Sequence, residues 1–330
     1  MDIIGHSNVL LKLSKLYEGG NSPQALLFHG SLGVGKFSAA VWYTSLLNCL
    51  SPLKNDFLKP CGLCISCRKI KNRNHPDIKI IEPDEKTLNI KIEQTRELGQ
   101  EASYKPLEGK FKVFIVKDSH RMLDGAASAY LKLLEEPPPH MVHILTSVNV
   151  RLLLPTIVSR CVSIKFSPLE KELVEIFLKQ NLPAETASIF ASISQGSIGR
   201  AISLSQDEKF VTQRKSLLDL MSLIHCMDMP EFTVKTDEAL SGGSDGNITL
   251  ELIILWMRDL SLLKNDMPDS SLINFDYAES LKKQSDFVSL DKIIKTLEFI
   301  DLASKQMSYQ VSHIFALDRL LKYISKEFRA

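Results

Sequence analysis

The stretch Phe28-His29-Gly30-Ser31-Leu32-Gly33-Val34-Gly35-Lys36-Phe37 constrains the fold of this chain more than any other. It follows the phosphate-binding loop pattern, a glycine, four residues, a second glycine and a lysine, and departs from it at the last position. In such a loop, backbone N–H groups at the start of a helix cradle phosphates and the lysine reaches the terminal ones. Gly30, Gly33, Gly35 and Lys36 are therefore the candidate nucleotide-contacting residues. The flanking sequence has the order the motif needs. Ala25 to His29 is an apolar run between turn signals, which predicts a buried strand, and Ser38 to Leu50 has helical spacing with few breakers. A glycine-rich turn with a stray lysine is the alternative, and the order of strand, loop and helix argues against it.

The position after the lysine normally carries a hydroxyl for a magnesium ion. Phe37 stands there and cannot be a ligand. A second segment bears on the same point. Lys112-Val113-Phe114-Ile115-Val116-Lys117-Asp118-Ser119-His120 predicts a buried parallel strand ending in polar residues. In phosphate-loop enzymes an aspartate directly after such a strand helps hold the magnesium. This chain offers Lys117 and then Asp118. Sliding the register by one residue is costly, because successive strand residues point to opposite faces. Ser38 does not simply replace Phe37, since one helical step turns a side chain by about 100°. The sequence thus predicts ATP either not bound or bound without hydrolysis, on a backbone cradle that survives.

Cys49, Cys61, Cys64 and Cys67 form the other chemical cluster. Two overlapping C-x2-C pairs and an upstream cysteine are enough to close a tetrahedral zinc site. Four thiolates leave no open position for substrate, so the predicted role is structural. Free buried thiols are the alternative. His75 is a possible substitute ligand, with packing beside Pro76 as its other reading. The run Arg68-Lys69-Ile70-Lys71-Asn72-Arg73 that follows is a solvated face or, alternatively, a contact for DNA or a partner.

Further along, Asp77 to Ile81, Val142 to Thr146 and Val162 to Phe166 read as strands, and Val9 to Tyr17 and Ile92 to Ala102 as helices. Asp124 is an expected N-cap for a helix over Gly125 to Glu136, which Pro137-Pro138-Pro139 stops. The alternation predicts a parallel sheet covered on both faces. Strand patterns then disappear. Glu170 to Leu204 reads as two or three short helices with Gly196 and Gly199 as breaks, and long helical periodicities fill the remainder, with 241–246 as a flexible connection. The expected domains are 1–166 with a zinc module at about 49–75, a helical lid over 167–206 and a helical domain over 207–330.

Composition sets outer limits. At 330 residues, 44% of them hydrophobic and 24% charged, the chain has room for two or three ordinary globular domains. A net charge of +1 gives no global field for nucleic acid. That weighs against a zinc-stabilised nucleic-acid-binding protein as the whole function. The apolar stretch around Ile253 to Trp256 is broken by Arg258 and Asp259, and the first residues show no secretory pattern. A cytoplasmic protein without membrane contact is expected.

Taken in order, the Gly30 to Lys36 loop, Pro60-Cys61-Gly62-x-Cys64-x2-Cys67, His75-Pro76-Asp77, Leu131 to Pro138 and Pro155 to Cys161 resemble the bacterial clamp-loader subunits of DNA polymerase III, most of all the delta prime branch. The resemblance is dense over the first domain and continues weakly through Gly196-Ser197-x-Gly199-Arg200-Ala201. It implies an AAA+ nucleotide-binding fold, a helical lid and a helical collar that joins a ring of subunits. The implied partners are the gamma/tau ATPase and delta subunits, and through them the sliding clamp and primed DNA. Ser159-Arg160-Cys161 is similar to the family's arginine-finger segment, so Arg160 would reach the ATP of a neighbouring subunit. A salt bridge or helix cap is the other reading of Arg160. The hydrolysing members keep a hydroxyl after the loop lysine, an Asp-Glu pair after the second strand and an arginine in the lid. This chain has Phe37, Lys117-Asp118 and, by the lid motif, Gly199, with Arg200 one place on. An active gamma/tau-like ATPase, its metal held by Ser38 and Asp118, is the alternative.

Overall fold

A computed structural model of the chain describes residues 3–20, 22–240, 246–309 and 312–329. It resolves into two compact units, Met1–Phe177 with Gln195–Arg200, and Leu178–Ser194 with Ala201–Ala330. The first begins with α1 (Ser7–Glu18), β1 (Ala25–His29) and α2 (Lys36–Leu47). A short hairpin, β2 (Leu53–Lys54) and β3 (Leu58–Lys59), leads into α3 (Ile65–Lys71). Then come β4 (Ile78–Ile81), α4 (Ile92–Ala102), β5 (Lys112–Val116) and α5 (Asp124–Glu135). The last sheet elements are β6 (Met141–Ser147), α6 (Pro155–Val158) and β7 (Val162–Lys165).

The main sheet has the order β4-β5-β6-β1-β7, and its strands are parallel throughout. This is the parallel α/β domain the sequence predicted. Because strand side chains alternate, each strand feeds two cores. Leu26, Phe28, Val113, Ile115 and Ile144 pack on one face with α1 and α2, while Leu27, Phe114, Val116 and Leu145 pack on the other with α4 and α5. Burying one such side chain contributes about 1.5–3 kcal/mol, so the strand ends that carry the functional residues are firmly fixed. The sheet's central strands place Gly30 and Lys117 at their C-terminal ends, where loops in open parallel sheets gather ligands.

Two local expectations need correction. Asp124 is not an N-cap; Leu123 holds that position and Asp124 lies in the first turn, where its charge suits the helix N-terminus. Gly199 does not break a helix either. It lies inside α9 (Ile198–Gln206), which follows α7 (Lys171–Leu178) and α8 (Ala184–Ile193). Gly196, at φ +80°, is the break. The two-residue hairpin strands carry no periodic signal and were not foreseen.

The second unit is helical: α10 (Glu208–Leu223), α11 (Met229–Leu240), α12 (Gly246–Lys264), α13 (Ala278–Phe287), α14 (Leu290–Ser308) and α15 (His313–Phe328). Its interior joins apolar packing to satisfied polar groups. Buried Trp256 donates through Nε1 to Gln284 Oε1 at 2.9 Å, and Gln284 Nε2 donates to Met221 O at 2.6 Å. The flexible connection expected at 241–246 falls, but for Gly246 at the start of α12, outside the described residues. No helix among the described residues is long and apolar enough to cross a membrane.

Candidate functional site

The phosphate loop runs from the end of β1 into α2, as its sequence requires. Lys36 is the first residue of that helix and is 5% exposed. Its ammonium turns back on its own loop, donating to Gly30 O and Ser31 O, each at 2.6 Å. The next carbonyls are taken as well. Ser197 Oγ donates to Leu32 O at 2.7 Å, Gly199 N–H to Gly33 O at 2.9 Å, and His6 Nε2–H to Val34 O at 2.8 Å. Every carbonyl from Gly30 to Val34 thus has a partner from this chain. Burial lowers the Lys36 pKa, and the Asp118 carboxylate opposes that shift.

Gly33 and Gly199 explain how the 197–200 segment comes so close to the loop. A Cβ at Gly33, which sits at φ +72°, would meet Ser197 Oγ at 2.6 Å and Arg200 N at 2.8 Å. A Cβ at Gly199 would meet Gly33 Cα and O at 2.9 Å. Position 199 therefore accepts no side chain in this arrangement, an arginine least of all.

Phe37 and Lys117, the two departures from the magnesium pattern, meet in space. Lys117 Nζ lies 5.6 Å from the Phe37 ring centroid, and the Arg73 guanidinium carbon lies 5.1 Å from it. Both cations also share one carboxylate oxygen, Glu82 Oε1, at 3.7 Å for Lys117 and 3.2 Å for Arg73. Cation–π contact of this kind contributes roughly 0.5–1 kcal/mol at exposed sites. Magnesium needs hard oxygen ligands in a near-octahedral array. An aromatic ring under two cations cannot supply them. Lys117 is thus paired with a ring and a carboxylate, and the chain turns at Asp118 into the left-handed region, φ 49°. Glu82 and Arg73 were not foreseen as site residues. The pairing of Ile81 with Val116 in the β4–β5 register sets Glu82 beside Lys117, a signal that exists only once the register is known. His6 and Ser197 reach the loop from 28 and 165 residues away, so local sequence gave no sign of them.

The four predicted cysteines come together. The sulfurs of Cys49, Cys61, Cys64 and Cys67 all lie within 4.8 Å of one another. Four zinc–sulfur bonds of about 2.3 Å place sulfurs about 3.8 Å apart, so the set fits a tetrahedral zinc. Backbone N–H groups already point at the sulfurs, from Cys61 to Cys49 at 3.3 Å, Cys64 to Cys61 at 3.3 Å and Cys67 to Cys64 at 3.4 Å. Burial resists ionisation of Cys64, yet hydrogen bonds from Cys67 and Leu50 N–H and from the neighbouring thiols prevail, and its pKa falls to about 6. His75 takes no part in the cluster. It is buried, and its Nδ1 accepts from Asp77 N–H at 3.2 Å. Asp77 in turn accepts from Leu107, Glu108 and Gly109 N–H, pinning the loop before β5.

Arg160 stands apart from the phosphate loop, on the turn after α6. Its Nη1 donates to Thr156 O at 3.0 Å and its Nη2 to Glu135 Oε1 at 2.8 Å. The side chain is 36% exposed. It is thus engaged within its own unit and still reachable from solvent.

Residues 5–170, half of the chain, match the family model described as DNA polymerase III, delta subunit. The chain is 29% identical over 273 residues to DNA polymerase III subunit delta' of Bacillus subtilis, across 79% of this chain and 78% of that protein. It is 32% identical over 210 residues to subunit tau/gamma of Haemophilus influenzae, across 62% of this chain but only 30% of that longer one. A DNA polymerase III gamma subunit-related protein from Thermotoga maritima aligns with 97% of this chain and 99% of its own at 18% identity and a TM-score of 0.49. With half its length matched by the family model, the chain belongs to the DNA polymerase III delta-subunit family.

Proposed function

We propose that this chain is a delta prime-like subunit of the bacterial clamp loader, acting in the cytoplasm during DNA replication. It does not hydrolyse ATP. Its neighbours are the gamma/tau ATPase and delta subunits, and the assembly opens a sliding clamp and places it on primed DNA. Arg160 acts in trans on the ATP of an adjacent subunit, where a permanently charged guanidinium stabilises charge developing on the γ-phosphate. The three-part division into 1–166, 167–206 and 207–330 belongs to this reading, with the last part as the collar. A structural zinc at Cys49, Cys61, Cys64 and Cys67 holds the module at about 49–75 together.

The observation that carries the reading is the meeting of Phe37 and Lys117, with Arg73 and Glu82, where two magnesium ligands are needed. One observation favours the alternative of an active gamma/tau-like ATPase. The Asp118 carboxylate acts on Lys36, so an acid lies close enough to the loop lysine to serve a metal. Phosphate release by the purified chain with ATP and magnesium separates the two. The proposal expects none above background from the chain alone and turnover once the ATPase subunits are added. Robust hydrolysis by the isolated chain, lost in Asp118→Asn, would establish the alternative.

A further inference from the structure

The turn that carries Arg160 is built by neighbours with different tasks. Ser159 Oγ donates to Thr156 O at 3.1 Å and closes the end of α6. Cys161 packs inward against the core that holds Tyr130, Leu134 and Ile157, and burial pushes its thiol up to about 12. It is an inert anchor. Between the two, Arg160 is gripped at both terminal nitrogens, by Thr156 O and by Glu135 Oε1.

Glu135 is out of place by local rules. It is the last residue of α5, where the helix dipole disfavours a carboxylate, and Glu136 follows it. The guanidinium 2.8 Å away gives this carboxylate a partner. A guanidinium has five N–H donors in a fixed planar fork. One from each terminal nitrogen is used here, so donors remain for a phosphate while the fork is held. An arginine that is already held has less rotamer freedom to lose when it docks.

We propose that Glu135 is a positioning residue for Arg160, orienting the guanidinium for the phosphates of ATP on the adjacent subunit. The inference rests on the reading of Arg160 given above and adds a residue to it. Glu135 touches neither nucleotide nor reacting atoms; it acts through Arg160. What it supplies is an oxygen acceptor at a fixed place, so an amide at the same position keeps most of the effect.

The test uses the full chain assembled with its ATPase and delta subunits, with co-elution as the check on assembly and steady-state ATP turnover as the readout. Glu135→Ala should lower about tenfold the share of kcat that Arg160→Ala removes, as misplacement of a transition-state group does, with KM for ATP unchanged. Glu135→Gln should return to within about threefold of the native rate. Glu135→Ala combined with Arg160→Ala should be no slower than Arg160→Ala alone, because both act through one group. A double variant slower than that would show an independent structural effect and overturn the proposal. So would a native or raised rate in Glu135→Ala, or equal loss in Glu135→Ala and Glu135→Gln. If Arg160→Ala abolishes turnover while Glu135→Ala does not change it, the positioning role alone falls. If Arg160→Ala is itself native-like, the trans role falls and the positioning role with it.

Discussion

The phosphate loop and the Arg160 turn sit on the same sheet and use their polar groups in opposite ways. In the loop, donors of this chain take the backbone carbonyls. Lys36, Ser197, Gly199 and His6 take the carbonyls from Gly30 to Val34, and Phe37 and Lys117 join a closed cluster with Arg73 and Glu82. At the turn, Glu135 and Thr156 hold the guanidinium by two contacts and leave its other donors uncommitted in the contacts described. The more familiar motif thus spends its side-chain donors on its own backbone, and the less familiar turn holds a guanidinium with donors to spare.

The largest expected effect breaks the loop side through its support. α3 begins beside Cys64, contains Cys67 and ends just before Arg73, so the cysteine cluster indirectly sets the cation above Phe37. Structural zinc in small modules is worth on the order of 10 kcal/mol of local folding free energy. Cys64→Ser should therefore lose the metal, measured as zinc per chain, and expose 49–75 to limited proteolysis while the sheet stays folded. Zinc-free native protein with an unchanged digestion pattern would contradict this.

Phe37→Ala comes next. The ring is partly buried against the first core and underlies two cations. Its removal should cost about 2–3 kcal/mol in denaturant unfolding, with no gain of ATPase activity.

A similar loss is expected on the arginine side from pH. His143 lies on β6 beneath Tyr130 of α5, whose hydroxyl is 2.8 Å from its Nδ1. Burial lowers its pKa from 6.5 to about 4. The folded state therefore favours the neutral ring, and this contribution is fully present above pH 6.5 and lost as pH falls toward 4. Linkage puts the loss between pH 7 and pH 5 at about 2 kcal/mol. Denaturant titrations at the two values should show it, and a His143→Asn variant should show a flatter dependence. Smallest of all, Lys36→Ala should leave ATP turnover of the assembled complex within about twofold, since no step assigned here passes through that ammonium. In a hydrolysing subunit the same change would be severe.

Much of the fold was legible because the signals were local. The apolar runs at Ala25 to His29 and Lys112 to Val116 have no other plausible home than a buried parallel sheet, and the cysteine spacing announced its cluster. Phe37 and Lys117 were visible as departures from a pattern. That Lys117 meets the Phe37 ring and shares a Glu82 oxygen with Arg73 was not, because the approach of Glu82 to Lys117 across β4 and β5 depends on register rather than spacing. Glu135 was hidden differently. It lies in the Leu131 to Pro138 segment that carries the resemblance, with nothing in its spacing to link it to Arg160, and the turn after α6 brings the two together. Asp124 has the residue type of an N-cap but stands one position inside the helix, after Leu123.

The most direct measurement of the central claim is steady-state ATP turnover by the assembled complex containing either the native chain or its Arg160→Ala variant, with matched assembly. Removing an arginine finger lowers turnover at the site it serves by about 10³-fold or more, so the account predicts loss of the share of turnover that depends on this subunit. Unchanged turnover by a complex that carries Arg160→Ala would contradict it.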